Sequence, residues 1–515
     1  MKSKNYKSLV FCDDANNFYN FYNNLSSKFK LIFQVNQILI YDVSQERLLK
    51  KKFKNSKIII SPPKFELEKE TLDPEKIINI KNFKLEFEIF SKMIDFDNTF
   101  GEAFSYNDKV SSFLKILNNI FYYFKKNKNI NLLFFTHTPH NCIEILLIMI
   151  AKKKNIKVIF ARGIPVACYY YFDTSLFHTS PKYTKLKTFE KNLSAFNYFI
   201  KKTNKNFNLI ENLTSYSNYT IITNLLKKNN YFFFQFFFIL KNFIKLLKDN
   251  LSIFIKVPNI NIILNDTFKK KDREYLTVRD NLYSQNTRFF FSDIKKIKLY
   301  KFYNNLCTKA EPENEKYIFL PLWFQPSSTS YPYAGKFMNY VKIIKILDKA
   351  LPKNWKIYVK ESPDIFNVSN HAWYRSLNVR NNEFYLELLK SKRVKFINFD
   401  MPDHLLIDRS IATATLSDQF GLVSILRQKP NLNFANSVQN KFEGTFACRN
   451  LRDVNNAILK IKKGHKVDLR KVKSDINKLK KIIYFREQMK NFYSKKIKTN
   501  YKIMADRFEK ALLNC

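Results

Sequence analysis

The sequence predicts a two-lobed α/β protein in which each lobe is a Rossmann-like, doubly wound parallel sheet. Three observations carry that expectation. The chain has 515 residues, more than one ordinary core of roughly 100–200 residues accommodates. Short β-like runs alternate with amphipathic helical stretches twice along the chain, as parallel strands joined by crossover helices require. Between the two alternating regions lies a long stretch without glycine or strand pairs, and a helical tail follows the second.

The first lobe, residues 1–196, opens on the apolar run Ser8-Leu9-Val10-Phe11-Cys12. Further strands are expected at 31–35, 37–41, 57–60, 132–135 and 157–160, with a helix at 141–153 between the last two. Residues 197–308 are aromatic, basic and rich in Asn, and read as a helical connector. Their longest apolar run is YFFFQFFFIL at 231–240, about half of the ~20 residues a bilayer-spanning helix needs. Apolar residues then interleave with Lys241, Lys245, Lys248 and Lys256 at helical spacing. That pattern suits a helix on the protein's own core or a peripheral contact with an anionic membrane.

In the second lobe, 309–465, strands are expected at 317–322, 355–360, 394–398, 410–415 and 431–434. Helices are expected at 336–350, 382–389, 402–409 and 420–427. Residues 466–515 place apolar side chains at helical intervals in a Lys-rich background and read as helices without a strand.

Composition narrows the function classes. With 45% hydrophobic and 16% aromatic residues the chain is not disordered, because disordered segments are poor in both. Its formal charge of +45, from 89 Lys and Arg against 44 Asp and Glu, invites a nucleic-acid or anionic-membrane partner. Genome-wide A/T bias explains the same charge: Lys, Asn, Ile, Phe and Tyr are abundant while Gly numbers only 6, and no nucleic-acid motif is present. Cys12, Cys142, Cys168, Cys307, Cys448 and Cys515 form no C-x-x-C pair, which signals neither a zinc site nor a redox dithiol and fits a reducing compartment. The N-terminus lacks signal-peptide features. The expected location is cytoplasmic, at or near the inner face of the cell membrane.

Four segments carry chemistry. Strand 317–322 runs into a polar loop containing Gln325, Pro326 and Ser327, at a strand's carboxyl end where open α/β sheets bind ligands; the same residues also suit a plain turn. Lys360, Glu361, Ser362 and Pro363 follow the next strand: a cation for a diphosphate and a carboxylate for a sugar or ribose hydroxyl, or a solvated ion pair closing a loop. Ser417, Asp418 and Gln419 precede a helix whose free N–H groups suit phosphate, although Asp418 favours capping instead. In the first lobe, His140 at a helix start and Glu144 one turn later form a candidate base pair for an acceptor, or a cap. Arg162-Gly163-Ile164-Pro165 and the pair Asp13, Asp14 end neighbouring strands.

Residues 317–446 resemble the C-terminal lobe of bacterial capsule-polysaccharide glycosyltransferases, the group that includes the capsular Kdo transferases. Gln325-Pro326, Lys360-Glu361, Pro363, Gln419, Gly421 and Lys429-Pro430 match the family pattern. Ser327, Ser362 and Val423 replace its Glu, His and Glu. The 136–140 junction is similar to the strand-to-helix junction of the same proteins.

The resemblance implies a GT-B fold, two Rossmann-like lobes whose C-terminal helices cross back onto the first. It implies transfer of a sugar from a CMP- or UDP-linked nucleotide-sugar to a glycan or lipid-linked glycan acceptor in surface polysaccharide assembly, without a further cofactor. Gln325, Lys360, Ser362, Ser417 and Gln419 would hold the donor, Glu361 would position it, and His140 with Glu144 would serve the acceptor. No metal is expected, because no Asp-x-Asp triplet is present and Lys360 with a helix N-terminus can offset phosphate charge. A non-catalytic relative acting as an assembly module, a nucleic-acid-binding protein and a non-hydrolysing sugar-nucleotide epimerase are the alternatives.

Overall fold

The structure is a computed structural model that describes residues 5–40, 43–60, 83–97, 105–164, 166, 169–176, 193–203, 240, 244, 282–325, 327, 330, 332–366, 377, 379–486 and 499–513. The first sheet contains β1 (Tyr6–Cys12), β2 (Phe33–Ile40), β3 (Lys57–Ile60), β4 (Leu132–Phe135), β5 (Lys157–Gly163) and β6 (Tyr169–Asp173). A seventh strand, β13 (Tyr484–Phe485), returns from the far end of the chain, giving the order β13-β6-β5-β4-β1-β2-β3. β1 to β5 run parallel, whereas β6 runs antiparallel to both of its neighbours, β5 and β13.

Both faces of this sheet are covered, which is why β4 reads as the unbroken apolar run LLFF instead of alternating. Leu133 and Phe135 face α4 (Lys84–Asp97), α5 (Tyr106–Lys126) and α6 (Cys142–Lys153) in one core layer. Leu132 and Phe134 face the other, with Phe18 and Phe21 of α1 (Ala15–Asn23). The smaller helices α2 (Ser27–Ile32) and α3 (Glu46–Lys52) complete the lobe, and α7 (Ser194–Thr203) packs Phe196 and Phe199 against residues of both lobes.

After α8 (Leu282–Leu306) the second sheet contains β7 (Tyr317–Leu322), β8 (Lys356–Glu361), β9 (Val394–Phe396), β10 (Ala412–Thr415), β11 (Asn431–Asn433) and β12 (Thr445–Ala447). All pairs are parallel, in the order β12-β11-β10-β7-β8-β9. The crossovers are α9 (Tyr340–Ala350), α10 (Asn382–Leu389), α11 (Asp403–Arg409) and α12 (Gln419–Leu426), and α13 (Leu451–Lys462) follows the sheet. In both sheets the chain starts in the middle and winds outward in two directions, so switch points lie between β1 and β4 and between β7 and β10. Ligands of open α/β sheets bind at the carboxyl ends of such strand pairs. The two-lobed, Rossmann-like expectation holds.

The tail departs from its expectation in one respect. α14 (Leu469–Ile482) and α15 (Tyr501–Leu513) are helical, but Tyr484–Phe485 extends the first sheet by pairing with β6. α15 then packs on the first lobe. Phe508 sits with ring centroids 4.6–5.5 Å from Phe21, Phe33, Phe134 and Phe172.

Two further readings are corrected. Residues 31–41 hold one strand and not two, because Phe33–Ile40 pairs with β1 along its length through a single register shift between Ser8 and Leu9 that leaves Asn36 as the extra residue; such a bulge interrupts an apolar pattern without ending a strand. The helix expected at 336–350 is a 3-10 turn, Gly335–Met338, followed by α9 capped by Asn339.

Among the described residues no helix is long and apolar enough to cross a membrane. The 231–240 run lies outside the described residues except for Leu240.

Candidate functional site

At the switch point of the first sheet, the loop after β4 runs Thr136-His137-Thr138-Pro139-His140 into α6. Asn141 caps the helix: its Oδ1 accepts from the Glu144 backbone N–H at 2.8 Å. Glu144 Oε2 accepts in return from the backbone N–H groups of His140 at 3.0 Å and Asn141 at 3.5 Å, a capping box. The other oxygen, Oε1, lies 2.7 Å from His137 Nε2.

The histidine paired with Glu144 through its ring is thus His137, whereas His140 contributes its backbone N–H and keeps an exposed ring whose Nδ1 lies 2.9 Å from the Thr138 carbonyl. His140 precedes the cap, so the i,i+4 face rule for helices does not apply to it. Burial alone would lower the His137 pKa; the Glu144 carboxylate outweighs it and holds the imidazole above its ordinary range.

Beside this loop, Asp14 caps α1, accepting from the Asn17 N–H at 2.9 Å. Asp13 instead receives Arg486 Nη2 on both oxygens at 2.7 Å and the Thr136 hydroxyl at 2.5 Å. Arg486 also donates to the Thr136 carbonyl. Burial would raise the Asp13 carboxyl, but Arg486 pulls it below its usual range. Sequence reasoning missed Arg486 because it lies hundreds of residues from Asp13 and follows a two-residue strand.

In the second lobe the motif residues are deeply engaged. Lys360 Nζ is buried, donating to Asp403 Oδ1 at 2.8 Å and to the Met401 carbonyl at 2.7 Å. Glu361 is buried too, and accepts from Arg380 Nε at 2.7 Å, the Tyr385 hydroxyl at 2.9 Å and the Ser362 N–H at 2.8 Å. Burial pushes its carboxyl above the usual range against the pull of Arg380. The same guanidinium donates to Gln325 Oε1 at 2.7 Å and to the Trp323 carbonyl at 3.2 Å, while Gln325 Nε2 donates to the Met338 carbonyl at 2.8 Å. Arg380, which no motif pointed to, therefore ties the loop after β7 to the end of β8.

Ser417 and Gln419 flank the N-terminus of α12, after β10. Ser417 holds φ at 80°, a left-handed conformation that costs a non-glycine residue about 1–3 kcal/mol. Asp418 is buried and caps α12, accepting from the N–H groups of Phe420 at 3.0 Å and Leu416 at 3.1 Å. Burial pushes its pKa up to about 6. Ser362 Oγ, Gln419 Oε1 and Tyr333 Oη are shielded from solvent without a hydrogen-bond partner among the described residues.

The two lobes meet at Arg162. Its buried guanidinium donates to Asp173 at 2.9 Å and to the Asn436 carbonyl of the second lobe, and lies 3.8 Å from the ring centroid of Tyr333.

The fold and site define a two-lobed, Rossmann-like α/β protein with charge-paired polar side chains at strand ends in both sheets. No protein-family model and no curated protein matches the chain. Similar solved structures include the beta Kdo 2,7 transferase KpsC of Thermosulfurimonas dismutans, 9% identical, covering 94% of this chain and 100% of that one at a TM-score of 0.29. The UDP-GlcNAc 2-epimerase of Methanocaldococcus jannaschii is 9% identical, covering 99% and 100%, at 0.24. A glycosyltransferase from Rickettsia africae is 11% identical, covering 99% of each chain, at 0.24. Scores this low add no weight to the reading; the architecture rests on the strand order.

Proposed function

We propose that this chain binds a nucleotide-linked sugar in the second lobe and passes the sugar to a glycan or lipid-linked glycan acceptor held by the first, in surface or capsular polysaccharide assembly at the inner face of the cell membrane. One observation carries the reading. Ser362 Oγ and Tyr333 Oη on loops, and Gln419 Oε1 in the first turn of α12, all following strands of the second sheet, are buried without partners among the described residues. Buried polar atoms are rarely left unpaired in a native fold, and each orphan needs a reason. The hydroxyls and phosphate oxygens of a nucleotide-sugar supply the missing partners.

The engaged residues act as a frame. Lys360 is neutralised by Asp403 and Glu361 by Arg380, so they shape the loops around the donor instead of meeting its phosphates as free charges. On the acceptor side, His140 offers an exposed ring and Glu144 fixes the loop that carries it.

The test is a thermal-shift screen of CMP-, UDP- and GDP-sugars against the wild type and Ser362→Ala. Removing an orphan hydroxyl leaves the fold intact, and a wild-type stabilisation that falls in the variant supports the assignment; no stabilisation by any nucleotide-sugar overturns it. A second reading, a binding module without turnover, is favoured by the neutralised Lys360 and Glu361. It predicts nucleotide-sugar binding without donor hydrolysis or transfer.

A further inference from the structure

We propose that His137, His140 and Glu144 form a site for one divalent transition-metal cation of the zinc type. A ring nitrogen of each histidine and a carboxylate oxygen of Glu144 all lie within 4.8 Å of one another. Around a tetrahedral ion with bonds of about 2.0–2.1 Å, ligand atoms sit roughly 3.3 Å apart. His137 Nε2 and Glu144 Oε1, at 2.7 Å, are already closer than that. Ligation requires His137 Nε2 to give up the proton it donates to Glu144 Oε1, these two atoms to part to that spacing, and the exposed His140 ring to swing inward.

The surroundings prepare each donor. The Thr138 carbonyl accepts from Nδ1 of His140 at 2.9 Å, which places that ring's lone pair on Nε2, the arrangement that orients imidazole ligands. Glu144 Oε2 is held by the N–H groups of His140 and Asn141, so Oε1 is the oxygen that remains directed at His137. Two donors are buried and the third is exposed, which gives the ion an entry path and leaves positions for water or an acceptor oxygen. Two imidazoles and one carboxylate form a recognised zinc donor set that keeps an open position. The spacing His137-x-x-His140-x-x-x-Glu144 matches no helical metal motif, since the cluster needs the strand-to-helix turn to assemble. The expectation of no metal rested instead on the missing Asp-x-Asp triplet and on Lys360 beside a helix N-terminus.

Metal binding here does not depend on the glycosyltransferase reading, and either can fail alone. The experiment uses the full chain stripped with chelator and titrated with Co²⁺, followed by Zn²⁺ competition in a calorimeter. One equivalent of Co²⁺ should give visible d–d absorption that Zn²⁺ abolishes, and His140→Ala should weaken the affinity by about tenfold or more. The His140 ring is exposed, bonded to one carbonyl and edge-on to His137 at 6.0 Å between ring centroids, so this variant should melt close to the stripped wild type. Absence of d–d absorption in the wild type overturns the proposal, as does an unchanged affinity in His140→Ala. The cluster is then a His137–Glu144 pair and a helix cap only.

Discussion

At position 418 a carboxylate caps α12 from inside the protein, and its pKa of about 6 is a statement about stability. A folded-state pKa raised above the unfolded value means that the folded protein holds the proton more tightly. The contribution is fully present below the unfolded value near 4 and is lost as pH rises through 6. Two pKa units correspond to about 3 kcal/mol. Urea denaturation at pH 4.5 and 7.5 should therefore show the wild type losing about 2 kcal/mol relative to Asp418→Asn over that interval; parallel curves would refute the assignment. Arg380 poses the opposite problem, because it neutralises Glu361 and braces Gln325 while itself buried. Arg380→Met strands a buried carboxylate and should cost about 3–5 kcal/mol, with much of the loss recovered by adding Glu361→Gln. Chemical denaturation of the single and double variants reads both numbers.

At the scale of elements, α12 lies so close to β10 and β11 that a Cβ at Gly421 would meet Gln439 Oε1 at 2.3 Å, Asn431 Nδ2 at 2.7 Å and Thr415 Oγ1 at 3.0 Å. Those atoms belong to a buried polar layer that includes Thr415 to Asn431 at 2.9 Å and Gln439 to the Asp418 carbonyl at 2.9 Å. Gly421→Ala should cost about 1–3 kcal/mol by overpacking, measurable as a lowered Tm.

What the sequence made legible follows the same packing. β4 and β7 are buried along every residue and read as apolar runs. β12, with two half-buried residues and one exposed, and β13, with two buried ones, are too short to leave a pattern. In the site, the positions of Gln325, Ser362 and Gln419 at strand ends were readable from motif spacing. The groups that pair with Gln325, Glu361, Lys360 and Asp13 were not, because Arg380, Asp403 and Arg486 are brought in by tertiary packing. The exchange of His140 for His137 beside Glu144 turned on where the helix begins, which a capping box decides and periodicity does not.

For the whole molecule, the chain closes on itself. Its C-terminal segment supplies a strand to the first sheet, an arginine to Asp13 at the first switch point and Phe508 to the first lobe's core. Phe508→Ala should cost about 3–5 kcal/mol and lower the Tm of the intact chain. Between the lobes, Arg162 spans from Asp173 to Asn436 and Tyr333, and the Asn436 side chain donates to the Leu176 carbonyl. The account's central claim is that a nucleotide-sugar occupies the strand ends of the second sheet. Hydrogen–deuterium exchange of the full chain with and without a saturating nucleotide-sugar tests it most directly. The account predicts new protection at 362–366 and 416–421, at the ends of β8 and β10; protection confined to the first lobe, or none at all, would contradict it.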